Sequence, residues 1–281
     1  MPGHLALVTD STAYLPQEAV DRHRIRVVPL SVAVGDEVLA EGVEISPKDV
    51  AEALRGKHRV TTSRPSPETF AAAYRAAAEA GASGVVSVHI SGELSGTAEA
   101  AQLAAAEATV PVRVVDSRLV GMALGMCVLA AAEAAEAGAD LDGAVAAAER
   151  RAEETRSFFY VDTLEHLRRG GRIGAARALV GSALAVKPLL HLTGGRIEPL
   201  EKVRTASRAI ARLEEIAVDC AADREVDIAV HHLAAEDRAE PLAERLRERV
   251  PGLRELYVSE VGAVIGAHVG PGLLAVVVSP R

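Results

Sequence analysis

Apolar residues fall in two patterns along this chain, as short unbroken runs and as longer stretches spaced three and four apart. His4–Thr9, Gly84–Ile90 and Val112–Val115 are runs of the first kind and predict buried strands. Ile25–Val34 is a β-rich run followed by the turn signal Gly35-Asp36 and then Val38–Leu39. Helical stretches separate these runs. Pro16–Asp21 predicts a short helix, and Ser46 ahead of Pro47 reads as an N-cap and first helical position opening a helix to Arg55. Ser66-Pro67 repeats that signature and opens Glu68–Ala80, which Gly81 stops. Ser95–Ala108, Leu119–Ala137 and Leu141–Thr155 complete the helices of the first half.

In the second half, Phe158–Val161 predicts a strand and Leu164–Arg169 a helix ended by Gly170-Gly171. Ala175–Ala185 reads as helical. Lys187–Leu192 and Arg196–Val203 predict a hairpin across Thr193-Gly194-Gly195. Helices follow at Thr205–Ala221 and Glu236–Arg249, with strands at Val226–His231, Leu253–Val258 and Gly272–Ser279. Strands alternating with helices imply βαβ units. The expected fold is α/β with two domains. Residues 1–156 carry a mostly parallel sheet with helices on both faces, and residues 157–281 form an α/β domain with a mixed sheet.

Composition narrows the function classes. The 281 residues are 49% hydrophobic and 25% charged, which suits a globular core. Aromatic residues are only 2%, with no Trp, so Ala, Val and Leu must do the packing and base-stacking is disfavoured. A net charge of −8 argues against a nucleic-acid partner, because phosphate binding needs an excess of Lys and Arg. Cys127 and Cys220 offer neither metal-ligand spacing nor a disulfide framework. The first residues carry no basic region of the kind that opens a signal peptide. The longest apolar run, Leu119–Ala132, is shorter than the ~18 residues a spanning helix needs. A cytoplasmic protein without stable membrane insertion is the expectation.

Candidate chemistry collects after the first-half strands, where ligands of doubly wound sheets bind. Asp10-Ser11-Thr12, the segment Ser91–Thr97 and Asp116-Ser117 occupy those positions, and Thr61-Thr62-Ser63 adds hydroxyls in an expected loop held by Pro65 and Pro67. Ser95-Gly96-Thr97 is the best anion site, since it opens a predicted helix whose free N–H groups favour negative charge. Taken alone, that motif is explained more simply by Ser95 or Thr97 capping the helix. Asp10, Ser11, Asp116 and Ser117 read as mostly structural. Phosphate-binding and dinucleotide glycine motifs are both missing.

A basic cluster stands out from the acidic chain: Arg168, Arg169, Arg172 and Arg177, then Lys202, Arg204 and Arg208. Arg168 and Arg169 read as the cationic end of a helix, whereas Arg172 directly follows two glycines. His268 lies in a Gly/Pro-rich stretch, Gly266–Gly272, which reads as a loop that fixes the backbone where a side chain is presented, although a lone His is more often structural or on the surface than functional. His191 and His231-His232 lack companion ligands, so no metal site is expected.

Together these segments resemble the DegV family. The resemblance is carried in order by Val8–Ala13 with Leu15-Pro16, Thr62–Pro67, Ile90-Ser91 with Leu94–Thr97, and Val115–Ser117. It continues through Leu164–Ile173, Val186–Pro188, Lys202–Thr205 and His268–Gly272. What the resemblance implies is a fatty-acid-binding protein of two α/β domains, with a long-chain fatty acid as ligand and no cofactor. Its expected partner is a fatty acid kinase subunit with a dihydroxyacetone-kinase-like nucleotide domain, which phosphorylates the bound carboxylate to an acyl phosphate. The family pattern aligns Thr62 and Ser95 with the hydroxyls that hold the carboxylate, with Ser63 and Gly96 beside them. It aligns Arg172, Arg204 and His268 with residues near the carboxylate or the partner surface. The chain departs from the pattern at Arg64, where Gln is usual, at Gly92-Glu93, where a second Ser is common, and at Tyr14, where an acidic residue is frequent. Glu93 is expected to point away from a bound carboxylate.

Two other readings fit parts of the sequence. One is a hydrolase with Ser95 as nucleophile and His268 as base, although a nucleophile elbow and an acidic orienter are lacking. The other is a binding module for a small anionic metabolite.

Overall fold

The computed structural model describes residues 4–179 and 187–281. Along the chain, β1 (Leu5–Asp10), α1 (Gln17–Arg22) and β2 (Arg26–Val28) precede β3 (Ser31–Val34), β4 (Glu37–Ala40), α2 (Pro47–Arg55) and β5 (Val60–Ser63). Next come α3 (Pro67–Glu79), β6 (Gly84–His89), α4 (Thr97–Ala105), β7 (Val112–Asp116), α5 (Met122–Glu136) and α6 (Leu141–Glu154). The remainder is β8 (Arg156–Tyr160), α7 (Glu165–Arg169), β9 (Lys187–Thr193), β10 (Arg196–Val203), α8 (Ala206–Ala221), β11 (Val226–His232), α9 (Glu236–Arg249), β12 (Leu253–Glu260), α10 (Ala263–Val269) and β13 (Leu274–Pro280). The fold is α/β, with a parallel sheet at the N-terminus and a mixed sheet in the C-terminal part.

The chain divides into two units, one formed by the segment up to Ser31 with Ser63–Glu153, the other by Val32–Thr62 with Glu154–Arg281. In the first, four parallel strands run in the order β2-β1-β6-β7. Strand side chains alternate between faces. Val8 and Val85 pack with Phe70, Ala73 and Tyr74 of α3 and with Ala100, Ala101 and Ala104 of α4. Helix α5, almost wholly apolar on its inner turns, packs against β1 and β6.

In the second unit, a six-stranded sheet runs β10-β9-β8-β13-β11-β12. Its β11–β12 pair is parallel, and β13 is antiparallel to both β11 and β8. Leu213 and Ala217 of α8 and Leu242 and Leu246 of α9 cover the sheet through Ile228, Val230, Val276 and Val278. Such cores gain about 1.5–3 kcal/mol for each large aliphatic side chain buried.

Several local expectations change. Thr61-Thr62-Ser63 is not a loop but the end of β5, where the β-branched residues Val60, Thr61 and Thr62 favour extended backbone. His268 stands on the last turn of α10 rather than in a loop; only Gly270 and Gly272 adopt left-handed φ there. The stretch from Gly174 to Leu179 is a 3-10 helix, and residues 180–185 of the expected helix, like Val186, lie outside the described residues. A continuous division at residue 156 also differs from the contact pattern, because Val32–Thr62 belongs with the C-terminal unit. There α2 packs on α10, and the buried Glu41 carboxylate accepts the Val264 N–H at 2.8 Å. No helix among the described residues is long and apolar enough to cross a membrane.

Candidate functional site

The C-terminal unit holds a cavity of about 510 Å³ where β5, α7 and α10 converge. Thr62 reaches it from β5 and His268 from α10, and Thr62 Oγ1 lies 2.8 Å from His268 Nε2. Both elements are held firmly. The N-terminus of α10 has Glu41 as an acidic partner, which suits the helix dipole. Gly266 lets the helix approach Leu233 and Val50; a β-carbon there would sit 3.2 Å from the Leu233 side chain.

The turn after α7 shapes the other wall. A β-carbon at Gly170 would lie 2.1 Å from His268 Nδ1, so only glycine leaves room for this imidazole. Arg172 Nη1 donates to the Gly170 carbonyl at 2.7 Å, fixing the guanidinium beside the ring. Gly270 plays the matching part for His166: its φ is +75°, and a β-carbon would come within 2.2 Å of that ring. The two Gly-Gly and Gly-Pro-Gly stretches thus seat two histidines.

Burial pushes the His268 imidazole down to about 4, and the nearby charge of Arg172 adds to the shift. His166 is lowered as well, first by burial and then by Arg169. His268 is therefore neutral near pH 7 and carries one ring proton. Its Nδ1 is buried and has no partner among the described residues. A buried N–H without an acceptor is costly. That favours the tautomer with the proton on Nε2, donated to Thr62 Oγ1. The Thr62 hydroxyl proton then remains available for an anionic ligand.

In the N-terminal unit, hydroxyls do collect at the carboxyl ends of β1, β6 and β7. Asp10 is the centre of that edge. Its carboxylate accepts from the Thr12 N–H at 3.1 Å, the Thr12 hydroxyl at 2.5 Å and the Ile90 N–H at 3.0 Å, and it contacts His89 Nδ1 at 3.0 Å. His89 Nε2 continues to Ser87 Oγ at 2.7 Å, and Ser87 to the Tyr74 hydroxyl at 2.9 Å. Ser87, His89 and Asp10 have the bonding order of a hydrolytic triad. All three are fully buried and Ser87 is already paired with Tyr74, so no substrate reaches the hydroxyl. The network instead ties the end of β1 to the segment that leads to α4.

At α4 itself, Gly96 is the N-cap and no side chain caps it. Ser95 Oγ and Thr97 Oγ1 are 2.8 Å apart, bonded to each other rather than serving as caps. A β-carbon at Gly96 would lie 2.0 Å from Arg64 Nη1, so glycine lets the Arg64 guanidinium lie across this helix start. Arg64 also reaches Glu99 at 3.2 Å. Ser63 and Glu93 are exposed.

The structure thus gathers Thr62, Arg172 and His268 at one cavity, with Ser95 and Gly96 together at the start of α4. Arg204 is exposed beyond β10 and does not line the cavity. Arg168 and Arg169 both bind Glu165 on α7, which holds that carboxyl down at about 2. The sequence does not single out His166, His58, Lys57 and Arg59 as cavity residues; its one pointer is Gly270-Pro271-Gly272, whose Gly270 makes room for the His166 ring. No group of three His, Cys, Asp or Glu among the described residues could hold a metal ion.

A family model described as "Uncharacterised protein, DegV family" matches residues 4–281. The chain belongs to the DegV family. It is 68% identical over 281 residues to the DegV domain-containing protein SCO2569 of Streptomyces coelicolor, covering 100% of both chains. Among solved structures, a DegV family protein from Thermus thermophilus described by its fatty acid binding superposes with a TM-score of 0.93 at 39% identity, over 99% of this chain and 100% of that one. DegV from Bacillus subtilis, described as a fatty acid binding protein, gives 0.92 at 35% identity with the same coverage. In this DegV chain the matched region includes every residue of the cavity and of the α4 start.

Proposed function

We propose that this chain is a fatty-acid carrier that buries an acyl chain, holds its carboxylate through Thr62 and Ser95, and presents it to a separate ATP-dependent kinase in the cytoplasm. The observation that carries this reading is the Thr62–His268 pair at the cavity of a protein whose fatty-acid-binding relatives share its fold over 99% of its length. The neutral, Nε2-protonated His268 orients the Thr62 hydroxyl so that its proton points to a ligand oxygen. Ser95 adds a second neutral donor. Gly96, at the start of α4 where no side chain caps the helix, and Ser63 complete the expected carboxylate set. Affinity comes from the chain, at about 0.8 kcal/mol for each methylene buried.

In the kinase step, a carboxylate oxygen attacks the terminal phosphorus of ATP. The new C–O–P link forms as the bond to the bridging oxygen breaks, and ADP leaves with the electron pair. Cationic donors stabilise the charge that gathers on the transferring group. Arg172 and Arg204 fit this stage as cations and the neutral His268 as a hydrogen-bond donor, or all three meet the kinase, whose expected nucleotide domain is dihydroxyacetone-kinase-like. The carrier itself needs no cofactor.

The hydrolase reading is less well supported. Ser95 is bonded to Thr97, and His268 has no carboxylate on Nδ1 to orient it as a base. A paired measurement tests the proposal. Arg204→Ala and His268→Ala should keep bound fatty acid by mass spectrometry while losing most acyl-phosphate formation from labelled fatty acid, ATP and kinase. Ester turnover abolished by Ser95→Ala would instead establish the hydrolase.

A further inference from the structure

The cavity of the C-terminal unit carries more positive charge than a carboxylate requires. Lys57, Arg59, Arg169 and Arg172 line it, together with the imidazoles of His58, His166 and His268. No carboxylate stands among the described residues that line it, although the chain as a whole has a net charge of −8. Two of the four cations are already engaged: Arg169 Nε with Glu165 and Arg172 Nη1 with the Gly170 carbonyl. Lys57 and Arg59 are exposed and enter no side-chain hydrogen bond or ion pair among the described residues.

The backbone under Lys57 fixes where this basic run lies. Helix α2 ends with the Lys57 N–H donating to Leu54 O at 3.1 Å and the His58 N–H to Ala53 O at 2.9 Å. This is a Schellman ending, whose left-handed position usually holds glycine. Here it holds Lys57 at φ +59°. Arg24 takes the same position after α1 at φ +52°, so the conformation fixes the course of the turn rather than marking a site. The turn sets Lys57-His58-Arg59 along the cavity wall that Thr62 also lines.

We propose that this cavity is a phosphoryl-binding site, and that it takes the phosphate group of the acyl phosphate formed on the carboxylate held at Thr62. The proposal rests on the carrier reading and adds Lys57 and Arg59 as the residues that receive the phosphoryl group. A phosphate monoester or anhydride is close to a dianion with three acceptor oxygens. Arginine forks match those oxygens in parallel, and lysine adds a compact charge. Thr62 marks where the carboxylate ends and the phosphate begins.

The test uses the full chain and a Lys57→Gly, Arg59→Ala double variant. Glycine suits φ +59°, so this variant keeps the turn and its fold while losing both unpaired cations. Inorganic phosphate, hexadecyl phosphate and hexadecanoic acid are titrated separately by calorimetry. The variant should weaken at least one phosphate probe by about tenfold or more while hexadecanoic acid stays within about twofold. An effect on inorganic phosphate places recognition in the phosphate alone; an effect confined to hexadecyl phosphate means the acyl chain must anchor it, and both support the site. Unchanged affinity for both phosphate probes, or equal weakening of hexadecanoic acid, overturns it. Wild-type protein that binds inorganic phosphate through these residues but no hexadecanoic acid would sink the carrier reading and leave the anion site standing.

Discussion

Thr62 and His268 are 206 positions apart in sequence, yet Thr62 Oγ1 meets His268 Nε2 at 2.8 Å. The contact joins the end of β5 to the last turn of α10. It puts a neutral imidazole behind the hydroxyl that the carrier reading assigns to the fatty acid carboxylate.

Removing the two assigned hydroxyls should therefore weaken lipid binding without unfolding the protein. Each lost hydrogen bond to a charged group costs roughly 1.5–3 kcal/mol. Thr62→Val with Ser95→Ala should lower fatty acid affinity accordingly, measured by titration with a fluorescent fatty acid, with circular dichroism unchanged. Unchanged affinity would move the carboxylate elsewhere.

Gly170 should be intolerant of even one methyl group. Its φ of −73° suits any residue, so Gly170→Ala imposes no backbone strain. Its β-carbon would instead strike His268 Nδ1 at 2.1 Å and displace the ring from Thr62. Overpacking of this kind costs about 1–3 kcal/mol. The expected outcome is a lower melting temperature and a changed His268 resonance in NMR. A native His268 signal in the variant would contradict the packing described.

Stability should also fall in mild acid. The His268 imidazole sits at about 4 instead of its ordinary 6.5, through burial first and Arg172 second. Between those values the unfolded chain binds a proton that the folded chain refuses, so stability is full above pH 6.5 and declines toward pH 4. His166 and His231 shift in the same direction and add to the slope. Each group contributes at most about 1.4 kcal/mol per pH unit. Denaturant melts across this range should show a shallower slope for His268→Gln than for wild type. Identical slopes would mean that His268 does not titrate in this window.

Much of this arrangement was legible in the sequence where the cause is local. Ser46-Pro47 announces α2, and the structure supplies the full capping box with Asp49. Thr205 caps α8, and Gly194-Gly195 turns the β9–β10 hairpin with left-handed φ at both residues. What failed depends on distant partners. Helix α10 is seven residues between Gly262 and Gly270, too short for periodicity to reveal, and its stability comes from Glu41 and α2. Residues 32–62 carry no linker signal, so only their packing assigns them to the C-terminal unit. The family pattern names Thr62, Arg172 and His268, but no local rule tells that Lys57 and Arg59 share their cavity. The pattern names Arg204 with them, and its exposed position beyond β10 leaves it off the cavity wall.

The most direct measurement is of what the protein carries. Protein purified under native conditions, extracted with denaturing solvent and analysed by mass spectrometry, should yield close to one fatty acid per chain. Stripped protein should take up added fatty acid to the same ratio. Repeated extraction that yields no acyl chain, together with no uptake of added fatty acid, would contradict the carrier reading.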